Sequence, residues 1–499
     1  MNKLSNLMLN GAFFALLILG QAGSTWAQSV LGSNHRPQDG IQESTDRQKR
    51  PHGADATQRL LFWNEVALKA NARDHARAAP LKPEQGGPLR TARAFAIVQI
   101  AVFDAYNAIV GGYESYADPD LILGDADCES DRGRGSDRCR ASVDAAIAQA
   151  AGDTLKALYP SQAADIAAVQ ETDLDSIPDG RAKDAGIRIG RRAAEVILAT
   201  RSNDGSQHQE PNYHVDYFPP AGPGKWTPDP NSGSSLAMGA HWASMVQPFV
   251  IRSADQFRAA PPPSLDSDAY AQAVDELKRV GGANSQERTE DQTITGVFWG
   301  YDGTPFLGTP PRLYNQITAH IADQMGTRGI ELARLLALVN VAMADAGLAC
   351  WDTKYHEVFW RPVTAIPNFV PLGAPASNTN GRNFTPQFPA YTSGHATFGG
   401  ALFQTLRRFY RTDRIAFSFI SDEFNGVTRD NQGNVRPLIL RQFQSLSEAE
   451  EENGQSRIYL GIHWSFDKTE GIKQGRQVAN HVFNNSFRRQ AHGGRPTNQ

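Results

Sequence analysis

Apolar residues return at helical spacing along most of the chain, and stretches that alternate apolar with polar positions are scarce. The clearest case is Ala94, Ile97, Val98, Ala101, Val102, Ala105 and Ile109, which line one face of a helix predicted over 90–109. Similar patterns predict helices over 60–74, 141–158 and 181–200, so the first half reads as one helical layer with no large sheet. From 202 to 263 the periodicity stops and the chain is dense in Pro, Gly, Trp and Tyr. A structureless stretch of that length inside a compact protein is usually functional or covers a site. Helical periodicity resumes over 268–280, 285–298, 310–320 and 328–351, the last being the longest apolar helix. It continues over 396–410, 447–459 and 464–487, and the predicted fold class is all-α.

With 499 residues the chain has material for two or three domains at roughly 150 residues each. The pattern divides it into a leader at 1–27, a polar disordered linker at 28–55, helical domains at 56–265 and 266–490, and a tail at 491–499. The leader has Lys3, an apolar run over 11–20 too short to span a bilayer, and a small residue, Ala27, suited to cleavage. This predicts export to a periplasm or beyond, and a mature chain without a membrane span. A net charge of -4 offers no basic footprint for nucleic acid. Of the three cysteines, Cys128 and Cys139 share a polar loop suited to a disulfide in an oxidising compartment, and Cys350 ends an apolar helix as a small buried residue.

The chemistry concentrates in three stretches of the second half. Ser393-Gly394-His395 follows a loop rich in Pro, Asn and Gly and opens the helix over 396–410, with Thr392 or Ser393 as its N-cap. Unpaired N–H groups and the helix dipole make such a start an anion site, and the histidine sits one step inside it. Upstream, Lys354 and Arg361 lie seven residues apart, within about 20° on a helix, so both could converge on one ion. Pro362 biases Arg361 out of that helix. Trp351, Tyr355, Phe359 and Trp360 around them argue against a simple solvated face. Downstream, Arg457 adds a third cation, His463 a second imidazole, and Asp467 a carboxylate one turn beyond it that can orient the ring.

In the order Lys354-x6-Arg361-Pro362, Ser393-Gly394-His395, Ser456-Arg457-x5-His463-x3-Asp467, these stretches resemble the three-part signature of the type-2 phosphatidic acid phosphatase superfamily. That superfamily includes bacterial acid phosphatases and vanadium-dependent haloperoxidases. Thr392 stands where the signature usually has Pro. The segment from Trp299 through Asp302 and Gly308 to Arg312, with Phe388 to Gly399, is most similar to the chloroperoxidase-like branch of the haloperoxidases.

The resemblance implies two four-helix bundles with long irregular connections, and an active site in the C-terminal one. It implies vanadate as cofactor, with hydrogen peroxide and chloride or bromide as substrates and a small organic molecule as halogen acceptor. Lys354, Arg361 and Arg457 would neutralise the vanadate oxygens, Ser393 and the Gly394 N–H would hydrogen-bond them, and His463 would bind the metal. His395 would be the acid–base group, with Lys354 polarising the bound oxidant, and Asp302 would hold one of the arginines. Trp351 and Phe388 would wall the halide pocket; Phe388 occupies a place where bromide-selective relatives tend to have His. Two other readings use the same residues: a secreted acid phosphatase with His463 as nucleophile, and a non-catalytic phosphate or vanadate binder.

Overall fold

The computed structural model describes residues 55–77, 81–123 and 141–490. The leader, all but the last residue of the linker, the Cys128–Cys139 loop and the 491–499 tail lie outside them.

The N-terminal half comprises α1 (Ala56–Asp74), α2 (Gly87–Val110), α3 (Val143–Leu158), α4 (Ala163–Asp175) and α5 (Arg181–Thr200). Local sequence sets their ends. Asp55 caps α1 by accepting from the N–H groups of Thr57 and Gln58, and Ser142 caps α3 through Ala145. The periodicity does not show α4, whose apolar positions are few; its buried face is Ile166, Val169, Gln170 and Asp173. Asp173 is there to receive Arg59 and the Trp63 indole N–H, a polar use of a core position that hides the pattern.

After the irregular stretch come α6 (Asp268–Val280), α7 (Glu290–Phe298), α8 (Pro310–Gln324) and α9 (Gly329–Glu357). Beyond a long loop lie α10 (Gly394–Tyr410), the strands β1 (Phe417–Asn425) and β2 (Leu438–Phe443), α11 (Leu446–Tyr459) and α12 (Ser465–Asn485). The strands form an antiparallel ribbon in which Phe417 pairs with Phe443, with an irregularity between Ile420 and Asn425. β1 escapes sequence reading because its inner positions include Asp422 and Glu423, buried against Arg312 and Arg436 rather than apolar.

The organising element is α9, apolar on every side, as expected of a helix buried all round. It packs against α2 on one flank and against α10 and α12 on the other, and a single hydrophobic cluster runs from Trp63 and Phe103 through Leu336 and Val339 to Phe398 and Val478. α2 and α9 both reach membrane-spanning length and hydropathy, but their apolar windows are 83% and 100% buried inside the protein. Between α10 and α12 the backbones nearly touch: a Cβ at Gly475 would sit 2.0 Å from the Thr397 carbonyl, and one at Gly400 2.5 Å from that of Ile472.

One local expectation is corrected. α9 ends at Glu357, and Val358 takes a left-handed conformation with φ 52°, so Lys354 and Arg361 do not share a helix face. A β-branched residue resists that conformation; here the Val358 N–H reaches the Lys354 carbonyl at 2.8 Å and its own carbonyl receives the Trp226 N–H at 2.7 Å. Arg361 follows in extended backbone, capping the short turn Pro362–Ala365.

Candidate active site

α10 begins at the bottom of a cavity, and Ser393 is its N-cap, accepting from the Ala396 N–H. This cap stabilises the helix start by about 1 kcal/mol and leaves the first N–H groups without partners inside the helix. Thr392 does not cap: its hydroxyl donates to Gln474 Oε1 at 2.8 Å, and the Gln474 amide donates in turn to the Ala349 carbonyl and Thr353 Oγ1. The Ser393 N–H reaches the Asp467 carbonyl at 3.0 Å, which ties α10 to the start of α12.

The three cations converge on this helix start, each held differently. Arg361 donates from Nε to the Phe388 carbonyl at 2.9 Å, and from Nη1 to the Ile462 carbonyl at 2.7 Å and to His463 Nε2 at 2.9 Å. Its Nη2 is buried with no hydrogen-bond partner. Burial lowers this guanidinium to about 9. Arg457 forms a two-pronged pair with Asp302, Nη2 to Oδ1 at 2.6 Å and Nη1 to Oδ2 at 3.2 Å, while its Nε is also buried without a partner. Lys354 differs from expectation, since its ammonium donates to the carbonyls of Pro389, Ala390 and Thr392. All three of its donors are thereby used on the loop that delivers Ser393. Burial, assisted by the charge of Arg361, pulls Lys354 down to about 7.

The two imidazoles are fixed by their neighbours. His463 Nδ1 lies 2.8 Å from Asp467 Oδ2, and a carboxylate oxygen can only accept there, so the proton sits on Nδ1 and the Nε2 lone pair faces Arg361. Burial drives His463 well below the usual histidine range, with Arg361 and Lys354 adding to it, and drives Asp467 up to about 7. His395 Nε2 lies 2.9 Å from the Trp299 carbonyl and 2.8 Å from that of Gly300, which places the proton on Nε2 and leaves Nδ1 as the basic atom. Burial, then the charge of Arg457, lowers this ring well below its ordinary value.

A short loop therefore holds two of the candidate side chains. Trp299 and Gly300 hold His395, and Asp302 holds Arg457. The loop is itself pinned by β1: Glu423 accepts from the Tyr301 N–H at 3.2 Å and from Ser377 Oγ at 2.6 Å, and pairs with Arg436. Sequence reasoning found Asp302 but neither the two carbonyls nor Glu423, because main-chain acceptors leave no side-chain signal and a lone Glu beside Phe424 reads as surface.

Trp351 and Phe388 form one wall, with ring centroids 4.8 Å apart, and Lys354 Nζ lies 5.0 Å from the Phe388 ring centre. The cavity they border has a volume of about 990 Å³ and also touches Gly394, His395, Arg457 and His463. A water occupies about 30 Å³, so the space accommodates far more than one tetrahedral ion. Three cations and two carboxylates leave an excess positive charge in this buried cluster, and an unbalanced buried charge costs several kcal/mol. Arg361 Nη2 and Arg457 Nε remain as buried donors without partners beside that excess. Among the described residues no group of three His, Cys, Asp or Glu side chains gathers to hold a bare cation.

A family model described as the vanadium chloroperoxidase N-terminal domain matches residues 54–236, and one described as the VCPO second helical-bundle domain matches residues 334–491. The chain is 34% identical over 493 residues to the vanadium chloroperoxidase of Curvularia inaequalis, covering 82% of this chain and 79% of that protein. Its fold is similar to a bacterial vanadium-dependent iodoperoxidase, with a TM-score of 0.68 and 24% identity over 88% of this chain and 99% of the other. It is also similar to a bacterial vanadium-dependent chloroperoxidase, with a TM-score of 0.60 and 16% identity over 84% and 97% of the two chains.

Proposed function

The chain belongs to the vanadium chloroperoxidase family and is a vanadium haloperoxidase acting on hydrogen peroxide and halide, and from that premise we propose how its residues divide the work. The observation that supports this division most strongly is the pair of buried guanidinium nitrogens without partners, flanking a histidine whose lone pair is held in place by a carboxylate. Vanadate, when bound, supplies a Lewis acid that activates peroxide toward attack by a halide.

Arg361, Arg457, Ser393 and the Gly394 N–H would hold the oxyanion, and His463 would offer Nε2 to the metal. Asp467 keeps the Nδ1 proton where that requires it. Lys354 contributes positive charge and fixes the loop over 389–392; its three carbonyl contacts support a role behind the oxyanion rather than against it. His395 would take a proton from peroxide on Nδ1 and return one later, its low basicity keeping that nitrogen free at neutral pH. Asp302 holds the Arg457 fork in place. Trp351 and Phe388 would border a partly dry halide pocket, and an apolar wall beside fixed cations suits chloride as well as bromide. The outer cavity leaves room for a small organic acceptor. The apolar leader segment over 11–20 supports export.

The test is halogenation of an activated diketone by the purified protein with peroxide and bromide, before and after orthovanadate is added. Turnover that depends on vanadate and halide is expected. Hydrolysis of a phosphomonoester with no halogenation under any loading would sink the proposal and favour the phosphatase use of His463.

A further inference from the structure

The cavity continues from the oxyanion cradle to a wall supplied by the N-terminal half and the irregular stretch, where Arg90, His208 and Met238 line it. Met238 is the one methionine among the described lining residues, and no cysteine lines it there. It is half-buried, whereas Met343 is fully buried and Met245 and Met325 are 50% and 42% exposed on the outer surface.

Met238 is also close to the cradle. Its carbonyl accepts from Trp351 Nε1 at 3.0 Å and from the Tyr355 hydroxyl at 2.8 Å, and its N–H donates to the Gln387 carbonyl, next to Phe388, at 2.9 Å. The far edge of the same indole lies 3.4 Å from where a Cβ on Gly394 would be. One tryptophan ring thus separates the Met238 backbone from the helix start.

We propose that Met238 is a turnover-dependent modification site, oxidised to the sulfoxide by hypohalous acid before that product leaves the cavity. The inference rests on the haloperoxidase reading. A thioether is the most readily oxidised side chain the described lining offers, and the product would be released into the cavity that Met238 lines. The step balances without a further reagent: the thioether and HOX give the sulfoxide, a halide ion and a proton. Sulfur forms a bond to oxygen and loses two electrons, and the halogen accepts them as its bond to oxygen breaks. The added polar oxygen would lie in a wall where the sulfur already sits 3.1 Å from the Cβ position of Gly87.

The experiment is peptide mass mapping of the full-length, vanadate-loaded protein after a few equivalents of peroxide with bromide, in the presence of excess free methionine as a bulk scavenger. The peptide holding Met238 should gain the mass of one oxygen while those holding Met245 and Met325 remain unmodified. Reagent hypobromite added from outside should reverse that order. Met238→Leu should lose activity more slowly per equivalent of peroxide. The inference is overturned if free methionine is oxidised faster with bromide than without it, which shows that hypohalous acid is made, while Met238 lags behind the two surface methionines. It is overturned too if peroxide without halide oxidises Met238 equally fast. If bromide does not speed the oxidation of free methionine, the halogenating activity fails and this inference falls with it, a result distinct from the first two.

Discussion

Replacing Asp467 separates two things that carboxylate does. Its Oδ2 accepts from His463 Nδ1 at 2.8 Å and from the Trp464 N–H at 3.1 Å, and its negative charge offsets one of the buried cations. In Asp467→Ala the imidazole loses the partner that keeps its proton on Nδ1, so the Nε2 lone pair is no longer guaranteed. Loss of such a supporting partner typically costs about 10- to 100-fold in metal affinity, or about 1.4–2.8 kcal/mol at 1.4 kcal/mol per decade. The lost charge acts in the opposite direction. A unit charge roughly 6 Å away contributes about 3 kcal/mol at an effective dielectric of 20, and its removal favours any anion. Vanadate affinity alone would therefore mix two effects of similar size.

Phosphate resolves them, because it uses the same cations but takes no metal–nitrogen bond from His463. The charge effect cancels in the ratio of vanadate to phosphate affinity, measured by calorimetry on the same protein. That ratio should fall by about 10- to 100-fold in Asp467→Ala. In Asp467→Asn, where an amide oxygen can still receive the Nδ1 proton, it should hold within a few-fold even though both affinities rise. An unchanged ratio in the alanine variant would refute the argument, leaving Asp467 as a charge and nothing more.

Oxyanion binding near neutral pH should take up protons. Lys354 releases its proton near 7 in the anion-free fold and near 10.5 when unfolded, so the unfolded chain binds more protons between those values and stability rises with pH across that window. A bound anion raises the lysine again; calorimetry of phosphate binding at pH 8 in buffers of different ionisation heat should show the uptake, and Lys354→Met should abolish most of it. Glu423→Ala should loosen the loop over 299–302, lowering kcat by about 10- to 100-fold, as misplacement of about 1 Å can, and shifting the pH profile set by His395. Glu423→Gln, which keeps an acceptor for the Tyr301 N–H, should recover much of the loss, an outcome that a general folding defect would not produce.

Much of this site was legible because oxyanion chemistry needs particular side chains at particular spacings. Arg457, His463 and Asp467 announce themselves on one short stretch, and Ser393 marks a helix start through its capping preference alone. The long apolar helix was equally plain, yet its last turn was not. The left-handed Val358 is stabilised by Trp226, which lies far away in sequence and in a stretch without periodicity. The same reason hid the carbonyl grip on Lys354: a lysine beside aromatics predicts a buried charge, whereas its partners depend on how the following loop folds back. β1 was missed because buried ion pairs replaced the apolar residues by which strands are recognised.

The shared central helix α9 gives the protein a division of labour that can be varied in parts. Its last turns carry Trp351 and Lys354 toward the start of α10, while its opposite flank leans on the half that furnishes Arg90 to the cavity wall. Exchanging these wall residues with those of a relative should therefore alter which organic molecules are accepted while Arg361, Arg457 and His463 stay as they are. New acceptor preferences could arise in this scaffold without any change to the residues that make the oxidant.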